Sequence, residues 1–195
     1  MSPQRGVLHL VICAGGPAPD AHLLATAATA SGWDVYAIPT PNAVEFVDVE
    51  QLAAATEHTV RARWRRPGEP GSLPPADAVI VAPATYNTIN KWSAGIADVY
   101  ALGQLAEAVG RRLPIVVLPF VNAALAANPT YARSVQTLRG DGVHLLDGSP
   151  GTDGVRRGLA PHPPGTGGQL QSHFPWTDAL DALDATPAKA AHLRR

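Results

Sequence analysis

The sequence predicts a single α/β domain in which a parallel sheet carries helices on both faces. Short, mostly apolar runs at 7–13, 34–38, 78–82, 115–118 and 143–146 are too short for helices and read as buried strands. Helical stretches fall between them, and strand–helix alternation is the pattern of parallel strands joined by crossovers. With 195 residues, 46% of them hydrophobic, the chain can bury one substantial core. No internal repeat or linker divides it, so 1–186 is read as one domain and 187–195 as a flexible tail.

The elements follow in order. The first strand, 7–13, is stopped by Gly15-Gly16-Pro17. Asp20 suits the N-cap of an alanine-rich helix to about Ala30, and Gly32 suits the position after its end. After the second strand, Thr40-Pro41-Asn42 is a turn and 50–57 a helix. Val60, Ala62 and Trp64 alternate with Arg61, Arg63 and Arg65, the period of a half-exposed strand. Residues 67–75 form a Gly/Pro-rich loop that leads into the strand at 78–82. One long helix is expected over 87–109, then a strand at 115–118, a helix at 129–138 and a strand at 143–146. The stretch 147–168 is long for a structureless loop and reads as a lid or a disordered flap. A last helix is expected near 176–183.

Several function classes fall away. A formal net charge of −1 argues against a nucleic-acid-binding surface. A single cysteine, Cys13, excludes an intramolecular disulfide framework and a cysteine-based zinc site. No apolar run approaches the ~20 residues that cross a bilayer, and the N-terminus does not read as a signal peptide. The expectation is a soluble cytoplasmic protein without membrane contact. His162 and His173 lack metal-ligand spacing and read as surface residues, so no metal is expected. No nucleophile elbow appears.

What remains sits after the strands. Gly15-Gly16-Pro17 lies between a strand and a helix, where a phosphate can meet free N–H groups; taken alone, a bland tight turn explains it better. Thr40 closes the second strand and reads as a phosphate ligand or a cap. Ala84-Thr85-Tyr86-Asn87-Thr88 puts backbone donors, hydroxyls and an amide at the carboxyl end of a buried strand, where open α/β sheets bind ligands.

Taken together these segments resemble the homo-oligomeric flavin-containing cysteine decarboxylases, which include phosphopantothenoylcysteine decarboxylase and peptidyl-cysteine decarboxylases. Pro83–Thr88 is similar to that family's Pro-Ala-Ser-Ala-Asn-Thr signature, extended by Asn90-Lys91 and Gly95-Ile96-Ala97-Asp98. Gly15-Gly16 resembles its glycine loop, and 40–47 its Thr-x-x-Ala-x-x-Phe segment, ending near Phe46. Pro119-Phe120-Val121-Asn122 resembles its Pro-x-Met-Asn clamp, and Asn128-Pro129 its Asn-Pro pair. The resemblance implies a flavodoxin-like fold and FMN as cofactor. The phosphate would lie at Gly15, Gly16, Pro17 and Thr40. The isoalloxazine would lie near Phe46, Ala84–Asn87, Thr88 and Val121. Asn87 and Asn122 would grip the substrate, a small-molecule or peptide thiol, and Asn122 would also act catalytically. A homo-oligomer, trimer or dodecamer, is implied as well.

The departures bear on chemistry. Where the resemblance puts a catalytic His, this chain has Glu69. A carboxyl's ordinary pKa lies about two units below that of imidazole, so Glu69 would substitute only if burial raised it. His58, the nearest histidine upstream, ends the preceding helix. The family's flap Cys has no counterpart, Val121 replaces the clamp's Met, and Tyr86 replaces a small residue near the flavin or a subunit contact. Trp92 reads as helix or interface packing. The expectation is a flavin-dependent redox enzyme of altered chemistry. The alternatives are a non-catalytic FMN-binding subunit, or a decarboxylase with a replaced catalytic residue.

Overall fold

A computed structural model describes residues 5–69, 71, 73–151 and 154–186. The expected flexible tail at 187–195 lies outside the described residues. β1 (Gly6–Ile12) leads through a 3₁₀ turn at Ala18–Asp20 into α1 (Ala21–Ala30) and back to β2 (Trp33–Pro39). A second 3₁₀ turn, Pro41–Glu45, precedes α2 (Val49–Thr56), whose first turn is capped by Asp48 accepting from the Gln51 N–H at 2.9 Å. β3 (Ala78–Ala84), α3 (Tyr86–Ser93), α4 (Tyr100–Gly110) and β4 (Ile115–Pro119) follow. After them come α5 (Ala123–Ala126), α6 (Pro129–Gly140) and the two-residue β5 (His144–Leu145). β6 (Asp147–Pro150) and β7 (Arg156–Gly158) form a small antiparallel pair, and α7 (Gly167–Leu170) and α8 (Trp176–Ala185) close the described chain.

The five main strands are all parallel, in the order β2-β1-β3-β4-β5. This is the flavodoxin-like α/β fold the sequence predicts. Both faces are buried, which is why the strands are apolar at nearly every position rather than at alternate ones. Leu8, Leu10 and Ile12 of β1 pack with Ala78, Ile80 and Ala82 of β3 under α1 and α8. Val11 and Cys13 join Val79, Val81 and Val117 on the opposite face, under α3, α4 and α6. Each fully buried leucine on either face contributes ~1.5–3 kcal/mol by leaving water.

The structure corrects the sequence reading in three places. The helix expected over 87–109 is two helices, because α3 closes on a glycine. Gly95 takes φ +71°, its N–H reaches the Trp92 carbonyl at 2.9 Å, and the Ile96 N–H reaches the Lys91 carbonyl at 3.0 Å. That left-handed closure is open to glycine at no steric cost. Lys91 and Asp98, whose charges pair at 2.6 Å, then bridge the break.

The half-exposed strand expected at 60–64 does not form. The Arg61 N–H reaches the Ala37 carbonyl at 3.1 Å beside β2, but the segment runs on as coil. Trp64 instead lays its ring across Gly103 of α4 and meets Tyr100 edge-on at 5.1 Å. Alternation there records two environments without a ladder. Finally, the stretch 147–168 is not without structure. It contains the β6–β7 pair and then a segment at His162 that pairs in parallel with Asn122.

Candidate functional site

In a sheet of this order the chain reverses its winding between β1 and β3, and the crevice outside the strand ends at that point is where such sheets bind ligands. The glycine loop, Thr40, the 83–88 signature and the Phe120–Asn122 clamp all leave the carboxyl ends of β1 to β4. Backbone bonds lock them edge to edge. The Cys13 N–H donates to the Pro83 carbonyl at 3.0 Å, the Thr40 N–H to Ile12 at 2.8 Å, and the Phe120 N–H to Ala84 at 2.8 Å. Four segments far apart in sequence thus form one rim.

Gly15 sits tight against Pro83 and Phe120, where an added Cβ would come within 3.3 Å of the proline ring. A Cβ at Gly16 would lie 2.7 Å from Nε2 of Gln171, so the carboxamide of Gln171 covers this glycine. No pattern in the sequence marks Gln171, which comes from the 3₁₀ turn after α7. Pro17 is buried and opens the turn that leads into α1. Asp20 stands at the N-cap of α1 but makes no side-chain capping bond. Thr40 is buried, and its hydroxyl makes no capping bond to the turn it begins.

Thr85 is the N-cap of α3, again without a side-chain capping bond; its hydroxyl lies 3.2 Å from that of Thr88. The N–H groups of the first turn, Tyr86 to Thr88, are left to a ligand or to water, at the positive end of the helix dipole. Asn87 is exposed, Ala84 is buried in β3, and Tyr86 leans inward to stack on Tyr131 of α6 at 5.8 Å. Trp92 is 95% buried in the core, so its place is packing within this chain rather than an aromatic interface surface.

At the clamp, Val121 is buried, and Asn122 caps α5 by accepting from the Leu125 N–H at 2.9 Å. That bond fixes which end of the amide is oxygen and turns the two N–H donors of Nδ2 to other partners. Asn128 does the same for α6, accepting from the Thr130 N–H at 2.9 Å ahead of Pro129. Here the Asn-Pro pair has a sufficient structural reason. His162, read from sequence as a surface residue, is buried instead. Its N–H reaches the Val121 carbonyl at 3.3 Å and its carbonyl receives the Ala123 N–H at 2.7 Å. Its ring packs against Phe120 at 4.8 Å, and Phe120 in turn meets Phe174. The signal was legible: Pro163 forces the residue before it toward extended backbone, which strand-like pairing needs.

Other residues fall outside this rim. Glu69 is the knot of an exposed loop. Its carboxylate meets Arg63 at 2.8 Å and takes the Arg66 N–H at 2.9 Å, while Arg65 donates to its carbonyl at 3.0 Å. The Arg63 hydrogen bond, aided by the Arg66 N–H, pulls the Glu69 pKa down to about 2. A base standing in for imidazole needs the opposite shift, so this arrangement runs against a catalytic Glu69. With Arg63, Pro41 and Val44 it lines an open groove of about 540 Å³. Phe46 is 45% exposed beside Val44 and Val49, on the surface that follows Thr40. His58 bonds Asp34 at 2.6 Å and stacks on Tyr36 at 4.0 Å, near the start of β2 and remote from the strand ends. Cys13 is fully enclosed; burial pushes its thiol up, against hydrogen bonds with Thr88 and Thr85. Among the described residues no group of three His, Cys, Asp or Glu is placed to hold a metal, and no helix is long and apolar enough to cross a membrane.

This topology, with its rim at the switch point, defines a flavodoxin-like α/β protein. The chain belongs to the flavoprotein family, whose pattern its residues 10–160 match. It is 29% identical over 157 residues, 77% of its length, to the coenzyme A biosynthesis bifunctional protein CoaBC of Bacillus subtilis (strain 168). It is also 33% identical over 84 residues, 43% of its length, to a cysteine/cysteine sulfinic acid decarboxylase of an unknown prokaryotic organism. The matched regions span only 38% and 22% of those two proteins. The structure of the FMN-dependent cysteine decarboxylase TvaF from thioviridamide biosynthesis superposes with a TM-score of 0.64 at 24% identity, covering 72% of this chain and 89% of that one. At that identity the likeness speaks for the fold.

Proposed function

We propose that this protein binds FMN at the rim and uses it to oxidise a thiol-bearing substrate of the cysteine type. One observation carries the reading most: four segments, all at the carboxyl ends of parallel strands, supply only neutral donors and apolar walls in a chain of the flavoprotein family. The donor set fits the cofactor. Gly16 and the amide of Gln171 offer N–H groups for a phosphate, Thr40 offers a hydroxyl, and the uncapped first turn of α3 offers a dipole end. The Gly15 N–H is already given to the Cys13 carbonyl at 2.8 Å, so Gly15 serves the loop by its close packing alone. Ala84, Thr85, Tyr86, Thr88 and Val121 would flank the ring system; Phe46 lies outside the rim on the surface that follows Thr40. FMN, when bound, supplies the two-electron chemistry.

The chain's own part is to place and to exclude. Asn87 and the Nδ2 donors of Asn122 would hold the polar groups of the substrate. Phe120 and Val121 would keep water from the reacting face. The loop position read as catalytic holds a carboxylate already committed to Arg63. Carbon dioxide release of the kind carried out by cysteine decarboxylases is therefore weak. Losing the acid–base help of that loop position typically costs ~10²–10⁴-fold in rate.

Adding a peptide with a C-terminal cysteine to the FMN-loaded protein, without oxygen, tests this. Bleaching of the flavin with slow carbon dioxide release is the expected result. Turnover to carbon dioxide at ordinary enzyme rates of ~1–10³ s⁻¹ would make the protein a decarboxylase with a replaced base. No bleaching and no carbon dioxide would favour a non-catalytic FMN-binding subunit, the reading that the committed Glu69 also accommodates.

A further inference from the structure

We propose that His162 is the proton acceptor of this site: its imidazole Nε2 takes the proton of the substrate thiol. The inference rests on the thiol-oxidising reading above and names a group that reading leaves unassigned. Three features single His162 out. Its backbone is bonded on both sides to the clamp, to Val121 and to Ala123, so it is held in place beside Asn122. Its side chain is buried against Phe120 and against Gly167, where an added Cβ would come within 3.1 Å of the imidazole Cε1. And its Nδ1 lies 3.0 Å from the Pro163 carbonyl, which can only accept, so Nδ1 carries the hydrogen. In the neutral ring the lone pair is then on Nε2, ready to accept a proton.

The step balances simply. The S–H bond breaks, an N–H bond forms at Nε2, and the electron pair stays on sulfur. The resulting imidazolium keeps its bond to the Pro163 carbonyl. The residues that bond to it or stack on it, Phe120, Val121, Ala123, Pro163 and Thr166, carry no acidic or basic side chain. The sulfur left behind is the electron-rich form that flavin chemistry needs. Glycine at 167 leaves room for the ring, and the Thr166 hydroxyl, which donates to the Pro163 carbonyl, stands 3.5 Å from Nδ1 as a second acceptor.

N-acetylcysteine, whose amine is blocked, is a suitable probe. With FMN-loaded protein it should give a long-wavelength thiolate-to-flavin absorbance whose pH midpoint lies at least one unit below the ~8.5 of a free thiol. In His162→Gln and His162→Asn the midpoint should rise by at least one unit, with FMN affinity within twofold of the parent. Equal midpoints in parent and variants would overturn the proposal, as would a parent that shows no such band between pH 6 and 10. Histidine-labelled parent protein gives a second readout, independent of FMN and of how the variants fold. The ring signal in contact with Phe120 should move toward the imidazolium position when the probe is added at pH 7.5, and an unmoved signal would overturn the proposal. A parent that refuses FMN yet shows this movement would sink the flavin reading and leave His162 standing.

Discussion

Glu69 and His162 show how a residue's surroundings decide what its chemistry is for. Both were legible as titratable groups, but sequence cannot say which is buried and which is pinned. Glu69 is bound by Arg63 and by the Arg66 N–H, so its folded pKa of about 2 lies below the usual carboxylate value. A depressed carboxylate stabilises the fold above its unfolded pKa. That contribution fades as pH falls from about 4.5 toward about 2. Carboxyl-carbon NMR should therefore find Glu69 among the last side chains to protonate. Arg63→Gln should move its midpoint up by more than one unit; a Glu69 that titrates like a free glutamate in the parent would show that the loop is not tied as described.

Among the elements, those the sequence predicted well are the ones that carry their own boundary marks. The five sheet strands are apolar on both faces, and Gly32, Asn128-Pro129 and the start of β3 bracket their neighbours clearly. The break between α3 and α4 was marked by Gly95, but helical period on both sides of it outweighed one glycine in the reading. The stretch 60–64 has strand alternation yet lacks a ladder, because Trp64 finds α4 instead. The site was half legible: the segments that leave the strands could be read in order, whereas Gln171 and the inward turn of His162 depend on how 147–173 folds back.

α6 carries its own test. Burial, and then the nearby Asp147, push Tyr131 up to about 12 where it stacks beneath Tyr86. The raised value means the folded state keeps its phenol proton after the unfolded chain has lost its own. Stability is thus lost as pH rises from about 10 to about 12. Tyr131→Phe keeps the stacking and removes the ionisation, so thermal melts of this variant should fall less steeply over that range. Parallel melting curves for parent and variant would contradict the assignment.

For the whole molecule, the surface after Thr40 is apolar where a monomer has no use for it. Val44, Phe46 and Val49 are each more than a third exposed on adjoining turns, and Leu125 is 41% exposed beside the clamp. We propose that copies of this chain cover these residues in a homo-oligomer, a trimer or a dodecamer. Light scattering at micromolar concentration should give at least three times the 20.3 kDa chain mass, and Phe46→Glu should lower it. A monomeric parent would contradict this.

The central claim is that the rim at the strand ends is an FMN site, and a titration of the purified, cofactor-stripped protein with FMN and with riboflavin tests it most directly. The account predicts a yellow complex with a Kd of ~1 µM or tighter for FMN, and binding at least tenfold weaker for riboflavin, which lacks the phosphate that Gly16, Thr40 and Gln171 would hold. A protein that stays colourless with FMN at ~100 µM, or that binds the two flavins alike, would contradict it.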